Sequence, residues 1–167
     1  MVLTEMESGI FLNVFEDGLF AAIAAIGFSS ISNTPRRAYL TCGIIAAVGH
    51  AVRFILMSCL DMQIILASTI AAFCVGLIAV LAAPRIKCPA EVCFFPALLP
   101  MIPGMYAYRT VESIVMCLAN QQESVFNHWL YMLTYNGLTC SLIITGMVIG
   151  ATAPIFIFKH ISFQATR

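Results

Sequence analysis

Five long apolar runs dominate the sequence, and they leave it little choice of fold. A helix needs about 20 apolar residues to cross the ~30 Å hydrocarbon core of a bilayer. Runs of that size extend over about 10–31, 38–60, 63–83 and 92–119. A fifth, 125–158, is too long for one simple span. Trp129 and Tyr131 suit the headgroup level, so 125–134 is expected to form a tilted or interfacial turn, with the span proper over 135–158. Of the 167 residues 61% are hydrophobic and 10% charged, against roughly 45–50% and 25% in soluble domains. The expected fold is an all-α integral membrane protein, with residues 1–167 forming a single transmembrane domain.

Loop charges set an orientation. Lys and Arg collect in short cytoplasmic loops. Arg36 and Arg37 follow the first span, Arg85 and Lys87 the third, Lys159 and Arg167 the fifth. Thus six of the eight basic residues fall on alternate loops. The opposite loops hold Glu5, Glu7, Asp61 and Glu123 and no basic residue. The pattern predicts five helices, an outside N-terminus and a cytoplasmic C-terminus. The start, MVLTEMESG, is acidic, whereas a secretory signal begins with a basic region; the first run is therefore expected to be a retained helix. Zero formal net charge gives no sign of a nucleic-acid partner. Most of the seven cysteines lie in apolar runs and read as small buried hydrophobes. Cys88 and Cys93 are not spaced as a zinc motif, and neither a metal nor a cofactor is expected.

The remaining charges sit where charge is expensive. An ionised group at mid-membrane costs at least ~2.5–3.5 kcal/mol on insertion scales, so it normally faces protein or water and has a partner. At ~1.5 Å per residue, Arg53 lies about 22 Å above the cytoplasmic entry of its span, and Glu16 and Asp17 about 9–10 Å below the outer entry of theirs. Arg109 reaches a similar level. The carboxylates of the first span are thus placed to pair with either arginine. His50 stands one helical turn from Arg53 on the same face. These groups read as a polar cluster on a substrate path. Arg53 or Arg109 would grip a carboxylate in a bidentate contact, and His50 would carry a proton. The competing reading makes the charges helix-to-helix ties or groups reaching the headgroups; it is preferred for Glu112, Asp61 and Asp17, although Glu16 or Asp17 could instead receive an amino group.

The stretch ALLPMIPGMYAY, 97–108, breaks the fourth apolar run. Pro100 and Pro103 cannot donate backbone hydrogen bonds, Gly104 relaxes the backbone, and Pro96 adds a break one turn earlier. An unwound stretch is expected, followed by a helix restarting at Gly104. Irregular backbone at membrane depth is tolerated only inside protein or beside a wet cavity, and discontinuous helices hold substrate in secondary transporters. The restarting helix would aim free N–H groups at an anion, with Tyr106, Tyr108 and Arg109 in its first turns.

At this point a resemblance enters. The segments FSSISNTPRRAYLTCGIIAAVGHAVRFILM and ALLPMIPGMYAYRTV resemble the C-terminal membrane half of the threonine/serine exporter family. The specific pieces are Asn33-x-Pro35 with Arg37, Gly49-His50 with Arg53, and Pro100-x-x-Pro103-Gly104 with Tyr108. They look closest to the stand-alone small subunit, which is similar to the small component of a two-component bacterial succinate exporter. The resemblance implies export of small carboxylate-bearing solutes, ion-gradient drive and a bacterial inner-membrane location. It also implies a larger partner subunit of the same family as the other half of the transporter. Five spans beginning outside fit an inverted repeat with such a partner.

Two other functions fit the same residues: a non-transporting assembly subunit, and a small homo-oligomeric channel. An enzyme is not expected. HExxH and Gly-x-Ser-x-Gly are absent, and Ser58, Ser68 and Ser113 have no base at useful spacing.

Overall fold

The computed structural model describes residues 2–120 and 122–158, with side-chain environments from residue 12 onward. Lys159 and Arg167, expected in the cytoplasm, lie outside the described residues. The elements are α1 (Val2–Ile31), a 3₁₀ turn (Arg36–Ala38), α2 (Tyr39–Cys59), α3 (Ile64–Ile86), α4 (Ala90–Leu98), a second 3₁₀ turn (Leu99–Met101), α5 (Gly104–Ala119) and α6 (Glu123–Ile157). No strand occurs among the described residues. Four helices are long and apolar enough to cross a membrane, or five if Ala90–Met101 and Gly104–Ala119 together make one span.

Helix ends follow from local chemistry. Asn33, Asp61 and Lys87 adopt left-handed φ values of 54°, 49° and 51°. Asn and Asp tolerate this region because their side chains can bond locally. After α1, the Thr34 amide donates to the Ser29 carbonyl at 3.2 Å; after α3, the Cys88 amide donates to Ala83 at 3.3 Å. Both are the six-to-one closures of a Schellman-type stop. Arg37 then donates to the Lys87 carbonyl at 2.7 Å. The two basic loops therefore meet at one end of the helices, as their shared charge anticipates.

The chain forms two compact units, one of residues up to Met101 plus those from Gly146 onward, the other Ile102–Thr145. The first has a core of small side chains. Ala67, Ser68, Ala71, Ala72, Val75, Gly76, Ala79, Val80 and Ala83 are buried along α3, at the three-to-four spacing of one helical face. The large hydrophobics point outward: Phe15, Phe20, Ile31, Leu40 and Phe95 are all exposed. A lipid-facing protein sorts its residues this way, because hydrocarbon takes bulky apolar groups while close packing needs small ones. The crossing of α3 and α6 is tightest. A methyl at Gly76 would strike the Ala151 carbonyl oxygen, and one at Gly150 would strike that of Thr69.

Two expectations are corrected. Pro96 does not break the chain; α4 runs through it, as α3 and α6 run through Pro84 and Pro154. Helical structure lapses only after Met101, at Ile102 and Pro103. Likewise, 125–134 is not a separate turn: α6 is one helix of 35 residues.

Gly76→Val should cost at least the roughly 1–3 kcal/mol of an overpacked core and lower the thermal midpoint in detergent. Gly27→Ala, with nothing within 4 Å of the added methyl, should leave it unchanged or raise it. Equal loss in both would show that helix crossing is not what Gly76 provides.

Candidate functional site

In the first unit, the polar groups of α1 and α2 converge. Gly18 of α1 lies against Ala47 of α2, where an added methyl would come 3.4 Å from the Ala47 carbonyl oxygen. One residue earlier, Asp17 Oδ2 meets His50 Nδ1 at 3.1 Å. A carboxylate only accepts, so this contact places the imidazole proton on Nδ1. Nε2 then carries a lone pair. His50 is buried at 5% exposure, and Nε2 has no partner among the described residues. A buried ring nitrogen without a hydrogen bond is costly, and it is where an added proton or a donor from a solute would be received.

One turn along α2, Arg53 donates to the Met101 carbonyl at 3.0 Å. That carbonyl ends the 3₁₀ turn Leu99–Met101, so no following helical amide bonds it. Arg53 supplies the missing donor with a charge-assisted bond. Gly49 permits this approach: a methyl there would strike Val75 Cγ2 and lie 3.5 Å from Met101 Sδ. Asp17 is thus paired with the histidine, and neither Glu16 nor Asp17 bonds an arginine among the described residues. Glu16, adjacent in sequence, is exposed.

The second unit contains Tyr106, Tyr108 and Arg109. The expected open N-terminus of α5 is largely closed. Pro103 (φ −76°, ψ 64°) lets the Gly104 amide bond Ile102 O at 2.8 Å, an inverse γ-turn. The amides of Tyr106 and Ala107 both donate to Pro103 O at 3.1 Å. Those three N–H groups are therefore spent locally and do not form an anion cradle. Tyr108 is exposed at 63%.

Arg109 instead lines a cavity of about 330 Å³ with Glu112 and Ser113 of α5 and His128, Trp129, Met132 and Asn136 of α6. Residues 109, 112 and 113 share one face of α5, and 128, 129, 132 and 136 one face of α6. The sequence reading passed over His128 and Asn136. A signal was present, since Asn136 is a carboxamide in an apolar run, eight residues from His128 and so on the same side of a helix. Ser113 donates to Arg109 O at 2.7 Å. A larger groove of about 380 Å³ between α1 and α2, lined by Val14, Phe15, Gly18, Leu19, Ala22 and Ala47 among others, is apolar throughout. Among the described residues no three His, Cys, Asp or Glu side chains gather to hold a metal ion.

These features define a helical membrane protein that keeps ionisable groups inside its packing. A family model described as threonine/serine exporter matches residues 17–157; the chain belongs to that family of membrane transport proteins. It is also 36% identical over 104 residues to an uncharacterised protein of Haemophilus influenzae. That match takes in 62% of this chain and 35% of the relative, so the chain spans little more than a third of the protein it matches. No solved structure matches it.

Asp17 and His50 should be energetically coupled. A double-mutant cycle with Asp17→Asn and His50→Gln, read by unfolding in mixed micelles, should give an interaction energy of about 0.5–3 kcal/mol. Strictly additive effects would dissolve the pair.

Proposed function

We propose that this chain is the small membrane subunit of a secondary exporter for small carboxylate-bearing metabolites. It works by alternating access with a larger partner of the same family in a bacterial inner membrane. The observation that carries this reading is the Asp17–His50–Arg53 cluster, whose arginine bonds the Met101 carbonyl, within a threonine/serine exporter family chain. Ala90–Met101 and Gly104–Ala119 act as one interrupted span. Arg53 holds the last carbonyl before the interruption, and the free Nε2 of His50 takes up and releases a proton as access alternates. The partner contributes the other half of the site. The Haemophilus influenzae relative, matched over only 35% of its length, agrees with a plan in which this region is one half.

Uptake of radiolabelled threonine, serine and succinate into inverted vesicles tests the reading. Uptake should require this chain together with its larger partner. Arg53→Gln should reduce it about tenfold or more, since a charged hydrogen bond is worth roughly 1.5–3 kcal/mol, while the two chains still co-purify. Uptake by this chain alone would overturn the half-transporter assignment. Full uptake in Arg53→Gln would return the arginine to a structural role.

Orientation can be checked in a cysteine-free background. An impermeant maleimide added from the periplasm should label Asp61→Cys, and should label Asn33→Cys only after permeabilisation. The reverse pattern would invert the topology.

A further inference from the structure

The first unit gathers positive charge at one end. Arg37 Nη2 donates to the Lys87 carbonyl at 2.7 Å, across 50 residues of chain, and so ties the turn before α2 to the turn after α3. These two turns carry Arg36, Arg37, Arg85 and Lys87, all of them exposed. Among the described residues none of the four forms an ion pair. Arg85 donates within its own helix, to Leu81 O at 3.1 Å. The Arg36 guanidinium and the Lys87 ammonium have no hydrogen-bond partner among the described residues. Glu91 is the one acid in the segments 32–38 and 84–91, and it bonds none of the cations. Bulky exposed side chains begin about one turn away, at Ile31, Leu40, Leu81 and Phe95, where hydrocarbon would cover them. The four cations therefore stand at headgroup level. Beside them a groove of about 140 Å³ runs between Ser32, Asn33 and Thr34 on one wall and Glu91, Val92 and Phe95 of α4 on the other. The first wall offers hydroxyl and amide groups; the second is apolar apart from Glu91.

We propose that this end of the first unit binds an anionic phospholipid, its phosphate on Arg36 and Lys87 and its glycerol esters in the groove. Phosphate accepts paired bonds from a guanidinium and a point-charge contact from an ammonium, so one headgroup answers both free cations. Basic pockets between membrane helices take anionic headgroups in this way. Depth and shape select a lipid over a soluble anion. A free phosphate matches the charge but leaves the groove and the Phe95 ring uncovered. A lipid lays its ester oxygens against Ser32 and Thr34 and its first methylenes against Val92 and Phe95. A headgroup carrying its own ammonium has no net charge and sets a cation among four others. Repulsion of that kind gives the site its specificity. The bound lipid spans the same two turns that Arg37 joins, and so reinforces the closure of α1 and α2 against α3 and α4. The assignment is independent of which solute the protein moves.

The test immobilises the full chain in neutral detergent and follows binding of radiolabelled phosphatidylglycerol. Each basic residue near an anionic headgroup is worth about fivefold in affinity, so unlabelled phosphatidylglycerol should compete at least about tenfold better than phosphatidylcholine with the same acyl chains. Inorganic phosphate at the same concentration should not compete. Arg36→Gln and Lys87→Gln should each weaken binding about fivefold, and the two together more. Arg109→Gln removes the same charge from the second unit and should leave lipid binding unchanged. Arg36→Lys combined with Lys87→Arg keeps both charges and should retain most of the affinity, which separates lost charge from a damaged fold. Equal competition by phosphatidylcholine, equal loss in Arg109→Gln and the loop variants, or full binding in the double glutamine variant would overturn the proposal. Displacement by inorganic phosphate would overturn it too, because the surface would then be a site for soluble anions.

Discussion

Hydrocarbon offers no hydrogen bonds, so each polar group placed in it must find a partner within the protein. That constraint accounts for much of what is distinctive here. It forces the backbone into helices and sends Ser29, Thr69, Thr110 and Ser113 hydroxyls back to carbonyls one turn earlier on their own helices. It also explains why the carbonyl at Met101, where helical structure ends, is met by Arg53. Among the described residues the constraint is left unfulfilled at His50 Nε2 and Ser68 Oγ, and there the molecule carries a cost that packing alone does not require.

The cost is supported by the rest of the first unit. Small residues bring α1 close enough to α2 for a short aspartate to reach a histidine. The same economy of side-chain volume brings α6 onto α3 at Gly76 and Gly150. A bulkier core would separate the helices and strand the same polar groups in lipid. Packing and polar contacts are here one requirement, because the small residues that exclude lipid also set the distances at which Asp17, His50 and Arg53 lie.

Much of the fold was legible from the apolar runs, since ~20 residues without charge leave few other structures open. Loop ends were legible too, through Asn33, Asp61 and the basic pairs. Proline was less so. Pro96 and Pro103 look alike in sequence, yet one lies within α4 and the other stands just before α5, because neighbouring groups decide whether a missing N–H is tolerated. In the cluster, counting rise along the helices put Asp17, His50 and Arg53 near one level. It did not give rotation about each axis, and rotation chose histidine over arginine as the partner of Asp17. The α5–α6 cavity stayed hidden for a similar reason. Trp129 reads as a headgroup residue and His128 carries no signal of its own, and only the pairing of two helices shows that they share a space with Arg109.

The length of α6 has a consequence of its own. Thirty-five residues make a rod of about 52 Å, whereas the hydrocarbon core is ~30 Å thick. The excess must be taken up by tilt or by emergence into the headgroups, and the balance shifts with the thickness of the surrounding lipid. Because His128 and Trp129 lie within the first two turns of this rod, lipid thickness sets how deep that end of the cavity sits. Acyl-chain length thereby becomes a variable acting on the hairpin from outside, by hydrophobic mismatch and without any ligand.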